Sequence, residues 1–246
     1  MVRFFVTAEE LLQETPILTG ENAQHAKVLR LKAGEQVLLC DGEGKEALCT
    51  VSDFGKDYCN VAVVDRRESA TEAKVRVSVY MALPKSDKLE HVIQKATELG
   101  AYEIVTFPSA RCVSKPDEKS LRKKLERWQK IAVSAAEQSG RGRIPQVIVL
   151  DSFDAALSRA AEADKALMFY EHEEATTLHM ALSEGDFSTV SLLTGPEGGL
   201  EGSEVEQARA AGLQVCTLGK RILRCEPLPS VPCPLSCMPQ VNSEEK

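Results

Sequence analysis

Two glycine-containing segments near the C-terminal end of the chain carry its most chemically informative residues. They are Leu193-Thr194-Gly195-Pro196-Glu197-Gly198-Gly199-Leu200 and Leu218-Gly219-Lys220-Arg221-Ile222-Leu223-Arg224. Each follows a short apolar run, which predicts a buried strand that opens into a loop. Because glycine lets the backbone approach a ligand closely, two such loops at neighbouring strand ends could line one pocket. The glycines could also do no more than permit tight turns.

These loops lack the residues of two common nucleotide-binding motifs. The first loop has no Gly-Lys-Ser/Thr ending, so it is not a phosphate-binding loop. No Gly-x-Gly-x-x-Gly opens a helix after the first strand of the α/β region. A nicotinamide-dependent oxidoreductase is therefore disfavoured.

The composition narrows the class of protein. The chain has 246 residues, 43% of them hydrophobic, which is enough for one large domain or two modest ones. It has no run of about 18 apolar residues that could cross a membrane. Acidic residues at positions 9 and 10 follow the first apolar segment, so we expect no signal peptide. We predict a cytoplasmic protein with no membrane partner.

Cysteine spacing and charge distribution indicate whether the chain could bind a metal ion or a nucleic acid. The eight cysteines are scattered without a Cys-x-x-Cys pair, so we predict no metal site. The net charge of −7 argues weakly against nucleic acid, but residues 115–143 hold nine Lys or Arg against four acidic residues, a local +5. Such a stretch can bind RNA or form a solvated helix surface, and charge alone leaves both open.

The chain divides into two regions of different periodicity. Residues 1–72 are β-rich, with turn signals around residues 41–44 and 53–56 and one helix-like segment over 22–31. Short strands with tight turns indicate a small β-barrel. From about residue 73, strands and helices alternate, which is typical of a mostly parallel sheet covered on both faces.

Apolar periodicity also predicts the elements of the second region. The predicted strands cover residues 75–83, 102–107, 146–150, 166–170, 189–193 and 213–218, and the predicted helices cover 119–139, 153–161 and 177–182. A further helix has Ser86 as its N-cap, Leu89 and Ile93 on its buried face, and Gly100 at its C-terminal end.

These segments together resemble the SPOUT-class RNA methyltransferases, and among them the RsmE family, over nearly the whole chain. The resemblance rests on Arg3-Phe4-Phe5, residues 25–31, residues 85–88, residues 136–141 and the two glycine-containing segments. It implies an α/β fold, with a PUA-like RNA-binding β-barrel over residues 1–72 and a SPOUT-type trefoil-knotted parallel sheet over residues 73–226. It also implies a homodimer that uses S-adenosyl-L-methionine to methylate N3 of a uridine in 16S rRNA of the assembled small ribosomal subunit.

The resemblance assigns roles to individual residues. Those expected to bind the cofactor are Tyr170, Glu171, Thr194, Gly195, Glu197, Gly198, Leu218, Gly219, Ile222 and Leu223. Those expected to contact RNA are Arg3, His25, Arg30, Lys85 and Lys88. We expect Gly195→Val to remove cofactor binding by filling the space that the cofactor needs, while the fold persists.

The reaction suggests three candidate catalytic residues. Uridine N3 is a poor nucleophile while it holds its proton, so the enzyme must remove that proton or stabilise the anion. Glu137 is the candidate base, and Arg141 or Arg224 is the candidate cationic stabiliser. The sequence does not choose among them, because Glu137 and Arg141 could also form a surface i,i+4 ion pair.

The C-terminal tail departs from the family pattern. After Arg224 the family continues with a helix that closes the knot, whereas residues 225–246 contain five prolines and three cysteines. A one-base deletion in a family-like coding sequence reproduces residues 226–236. We therefore predict an extended or disordered tail over residues 227–246 and weak or absent activity. The alternative function is a non-catalytic RNA-binding protein on the same fold.

Overall fold

The computed structural model describes residues 1–114, 116–183 and 185–221. These residues form two compact units, one of residues 1–72 with 136–144 and the other of residues 73–135 with the chain from 145 onward. The segment 136–144, which the sequence boundary placed in the second domain, belongs to the first unit. The predictions for the tail over residues 227–246 lie outside the described residues. Within the described ranges, no helix is long and apolar enough to cross a membrane.

The first unit is built on a five-stranded sheet. In chain order its elements are β1 (Val2–Phe5), α1 (Ala8–Leu11), β2 (Ile17–Thr19), α2 (Gly20–Val28), β3 (Gln36–Cys40), β4 (Lys45–Phe54) and β5 (Tyr58–Glu68). The sheet order is β1-β3-β4-β5-β2, with β1 parallel to β3 and the other pairs antiparallel. The predicted β-rich N-terminal domain is confirmed, and its sheet is a half-barrel.

Alternating strand residues fill the core of this unit. Val37 and Leu39 from β3, and Cys49 and Val51 from β4, are at most 1% exposed and pack with Phe4. This period of two places these side chains on one face of the sheet, and Leu38 and Cys40 on the other face of β3 are buried as well. Two register shifts between β4 and β5 bend this long hairpin.

The second unit alternates strands and helices. In chain order its elements are β6 (Arg76–Ala82), α3 (Lys88–Glu98), β7 (Glu103–Phe107), α4 (Glu118–Ser139), β8 (Gln146–Val149), α5 (Phe153–Ala160), β9 (Lys165–Phe169), α6 (Leu178–Leu182), β10 (Thr189–Thr194), α7 (Gly202–Ala210) and β11 (Gln214–Cys216). The last residues of α4 belong to the first unit. The sheet order is β11-β9-β10-β6-β7-β8, and every pair is parallel. The predicted parallel α/β architecture is confirmed.

Helix α3 shows how apolar periodicity positions an element on the sheet. Leu89 and Ile93 are buried as predicted, and Val92 and Ala96, which recur with them at helical spacing, are buried too. The N-cap prediction was wrong, because Asp87 occupies that position. Ser86 precedes it in the left-handed region with φ +54°.

Candidate functional site

Three loops of the second unit lie side by side at one edge of its sheet. They follow β9, β10 and β11, which are neighbouring parallel strands and so end at the same edge. The Thr217 N–H donates to the Thr176 carbonyl (2.8 Å), and the Leu178 N–H donates to the Thr217 carbonyl (3.2 Å). The structure thereby brings together eight predicted cofactor residues, which are Tyr170, Glu171, Thr194, Gly195, Glu197, Gly198, Leu218 and Gly219. The predicted site residues Ile222, Leu223 and Arg224 lie outside the described residues.

We call the loop after β10, residues 195–200, the glycine loop. Close packing explains why two of its positions, 195 and 199, are glycine. Gly199 has φ +69°, and a Cβ on it would lie 3.1 Å from the Glu171 carboxylate oxygens. A Cβ on Gly195 would lie 2.9 Å from Leu200 Cγ and 3.0 Å from the Gly199 carbonyl carbon. The expected reason for the Gly195→Val effect was therefore wrong. The space beside Gly195 is filled by its own loop, so a side chain there would displace the loop itself.

The Glu197 carboxylate joins the glycine loop to the turn between β6 and α3, residues 83–87, which we call the β6–α3 turn. Its Oε1 accepts a hydrogen bond from the Lys85 backbone N–H (3.0 Å) and lies 3.1 Å from Lys88 Nζ. Burial would raise the pKa of Glu197, but hydrogen bonds from its own N–H, Lys88 and the Lys85 N–H outweigh burial and lower that pKa. The carboxylate that the sequence assigned to the cofactor, and the ammonium of Lys88 that it assigned to RNA, therefore bind each other. Lys85 keeps an exposed side chain.

Arg111, which the sequence analysis missed, makes a second contact with the glycine loop. Its Nη1 donates to the Gly198 carbonyl at 2.8 Å. The preceding Ala110 N–H donates at 2.8 Å to Glu204, a carboxylate in the first turn of α7 that is 6% exposed. Its position in the sequence could have indicated this contact, because Arg111 follows the carboxyl end of β7, where ligands bind in parallel sheets.

The loop after β9 is anchored by a carboxylate. Glu173 binds Arg209 of α7 at 2.9 Å and accepts hydrogen bonds from the backbone N–H groups of Ala175 (3.0 Å) and Thr176 (3.2 Å). The Arg209 hydrogen bond is the main cause of a lowered Glu173 pKa. These bonds fix the loop whose first residues, Tyr170 and Glu171, are predicted to contact the cofactor.

The three loops carry groups suited to an adenosyl ligand with a positive charge. Their backbone N–H and C=O groups can recognise a purine edge, and the half-buried Leu218 supplies apolar surface. A Cβ on Gly219 would meet nothing within 4 Å, so there is open space beside this residue. The Glu171 carboxylate, 40% exposed, supplies the negative charge that a sulfonium group favours. Among the residues described, no cluster of three His, Cys, Asp or Glu could hold a metal ion.

In the first unit, Arg3 has an internal partner. Its Nη1 lies 2.7 Å from Glu46 Oε2, and Arg67 lies 2.9 Å from the other carboxylate oxygen. The Glu46 side chain is 2% exposed and that of Arg3 is 12% exposed. Burial alone would raise the pKa of Glu46, but the two guanidinium groups hold it below its ordinary value. This pairing gives Arg3 a structural role beside Glu46, and RNA contact by Arg3 stays a prediction.

The other predicted RNA contacts of the first unit are exposed. His25 packs edge-on against Phe4, with ring centroids 5.7 Å apart, and keeps the rest of its surface in solvent. Arg30 follows α2 with φ +56° and an exposed side chain. RNA contact by these two residues stays a prediction.

The two described catalytic candidates occupy different environments in the first unit. Glu137 is exposed near the end of α4. Arg141 is 3% exposed, and its Nη2 lies 2.7 Å from Glu72 Oε2. The second Glu72 oxygen accepts hydrogen bonds from the N–H groups of Gly142 (3.0 Å) and Arg143 (3.1 Å). Arg141 is therefore a buried cation paired with Glu72, and not the surface ion-pair partner of Glu137 that the i,i+4 spacing allowed. This placement supports a positioning role for Arg141.

Comparisons with known proteins agree with this arrangement. Residues 71–228 match the family described as RNA methyltransferase domain, and residues 18–64 match the RNA methyltransferase PUA domain. Two similar proteins are each named ribosomal RNA small subunit methyltransferase E. The one from Bacillus subtilis (strain 168) is 38% identical over 240 residues, 93% of each chain. The one from Mycobacterium bovis is 36% identical over 211 residues, 85% of this chain and 80% of its own.

A solved structure shows the same likeness in three dimensions. The ribosomal RNA small subunit methyltransferase E from Neisseria gonorrhoeae, bound to S-adenosyl methionine, superposes with a TM-score of 0.83. It is 30% identical, and the match covers 95% of each chain.

Proposed function

Because the chain belongs to the ribosomal RNA small subunit methyltransferase E family, we propose that it methylates N3 of a uridine in 16S rRNA, with S-adenosyl-L-methionine as the methyl donor. The observation that carries this proposal is the set of three adjacent loops, the glycine loop among them, at one edge of an all-parallel sheet. The SPOUT-type fold and the PUA domain are those of an RNA methyltransferase.

The residues of this chain hold the reactants and move one proton. The bound donor supplies an electrophilic methyl group, which passes from sulfur to N3 as the C–S bond breaks. The loops after β9, β10 and β11 orient that methyl group, and orientation is a large part of the rate enhancement. The N3 proton must leave, and Glu137 is the exposed carboxylate proposed to accept it. Arg141 then acts through the segment that it holds, and not as a free cation.

Calorimetry with S-adenosyl-L-methionine separates this function from the alternative. A methyltransferase binds the cofactor, whereas a non-catalytic RNA-binding protein does not; the named methyltransferase relatives do not favour that alternative. Mass mapping of 16S rRNA from assembled small subunits incubated with the protein would then locate the methylated base. Absence of a new methyl group on a uridine would refute the proposed position.

We also infer a cytoplasmic homodimer with a knotted C-terminal region. The family resemblance supports both the homodimer and the knot. Sedimentation at micromolar concentrations tests the dimer, and a monomer throughout that range would contradict it.

A further inference from the structure

We propose that Glu197 is a positioning residue, whose carboxylate sets the shape of the glycine loop by joining it to the β6–α3 turn. This inference rests on the proposed function, since the glycine loop is one of the three cofactor loops. It departs from the direct cofactor contact that the sequence suggested for Glu197.

The contacts of the carboxylate carry this inference. Oε1 receives the Lys85 N–H at 3.0 Å and Lys88 Nζ at 3.1 Å, while Oε2 lies 3.3 Å from the same N–H. The side chains of Glu197 and Lys88 are only 24% and 34% exposed, which weakens the competition from water. Both oxygens are thus directed to the β6–α3 turn, and a direct ligand would need at least one directed to the cofactor.

The position of the two segments explains why such a bridge affects the site. Strand β10 lies next to β6 in the sheet, and the Thr194 hydroxyl at the end of β10 donates to the Tyr80 carbonyl of β6. The two strands are therefore fixed, and the Glu197 contacts extend this pairing beyond the strand ends. Arg111 adds a second contact at Gly198. The glycine loop is held at two successive residues by the loops after β6 and β7.

Hydrogen exchange of the protein without cofactor tests the bridge directly. In Glu197→Ala, the backbone amides of residues 83–88 and 195–200 should exchange about tenfold faster, because a charge-assisted hydrogen bond between the segments is lost. Glu206→Ala, at a carboxylate on α7 that is 77% exposed, is the matched control for loss of a carboxylate, and these two segments should exchange in it as they do in the wild type. Unchanged exchange in Glu197→Ala would overturn the proposal.

A double-mutant cycle on cofactor affinity distinguishes a positioning residue from a ligand. Glu197→Gln and Lys88→Met should each weaken S-adenosyl-L-methionine binding about threefold, the size expected of a partly exposed ion pair. The double variant should also lose about threefold in affinity, because the two changes remove the same interaction, the Glu197–Lys88 ion pair. A Lys88→Met protein with wild-type affinity, or a double variant weakened about ninefold, would show that Glu197 contacts the cofactor independently. A wild-type chain that does not bind the cofactor would refute the proposed function, and hydrogen exchange would still decide the bridge.

Discussion

A single methyl group at Gly195 should weaken S-adenosyl-L-methionine binding by displacing the glycine loop. In Gly195→Ala the new Cβ would lie 2.9 Å from Leu200 Cγ and 3.0 Å from the Gly199 carbonyl carbon. Both distances are about 0.5 Å shorter than ordinary carbon contacts. Leu200 is 3% exposed and has no solvent to move into, and the second contact is backbone. Overpacking of this kind costs about 1–3 kcal/mol, which corresponds to roughly 5- to 150-fold in affinity if the loop shifts to relieve it.

Calorimetry on three purified variants measures this effect. Gly202→Ala is the matched control, because its Cβ meets nothing within 4 Å and it lies in the first turn of α7. Gly195→Ala/Leu200→Ala should recover only part of the loss, since the contact with the Gly199 backbone remains. Thermal unfolding of each variant shows whether the fold persists. A Gly195→Ala protein whose affinity lies within twofold of the control would refute the packing explanation.

Three further predictions concern charged groups. Glu46→Gln removes the negative charge beside the nearly buried Arg3 guanidinium and should cost about 3 kcal/mol in urea unfolding. The double variant Arg3→Met/Glu46→Gln should recover most of that loss, and equal losses in the two variants would contradict the pairing. Arg141→Ala should lower kcat on assembled small subunits more than it lowers cofactor affinity, because the change releases Glu72 and the adjoining segment. Full methylation by this variant would refute a positioning role for Arg141. Hydrogen bonds from residues 188 and 189 lower the Asp164 pKa from 3.8 to about 2, so its stabilisation is present above pH 3.8 and disappears as pH falls toward 2. Asp164→Asn should remove that part of the acid dependence of the unfolding midpoint, and an unchanged acid profile would count against it.

Periodicity predicted the elements that bury an apolar face. The strand and helix of residues 75–99 were predicted because their apolar residues recur at spacings of two and of three to four. Helix α7 was missed, because small and charged residues fill most of it and only Val205 and two others are buried. The short elements α1 and β2 were missed for a similar reason, since four and three residues are too few to show a period.

The loops of the site were predictable, but the partners of their charged residues were not. Topology places the loops, since parallel strands end at one edge. Glu197 and Lys85 lie 112 positions apart in the chain, and Arg141 and Glu72 lie 69 apart. A single sequence has no short-range signal that links such pairs. The sequence could therefore show which residues were charged without showing which of them would be neutralised internally.

The first unit is built from two separate segments of the chain, residues 1–72 and 136–144, and this affects how it folds during synthesis on the ribosome. Residues 136–144 complete that unit, where the Ile144 N–H donates to the Gly42 carbonyl at 2.9 Å and the Gly44 N–H donates to the Gly142 carbonyl at 3.2 Å. The N-terminal sheet therefore cannot reach its final contacts when residue 72 emerges. At roughly 5–20 residues per second, the nascent sheet must wait about 4–14 s for the next 72 residues. During that interval the turn at residues 41–44 and the Glu72 carboxylate lack their final partners, so the order of translation, and not the order of domains, determines when this unit is finished.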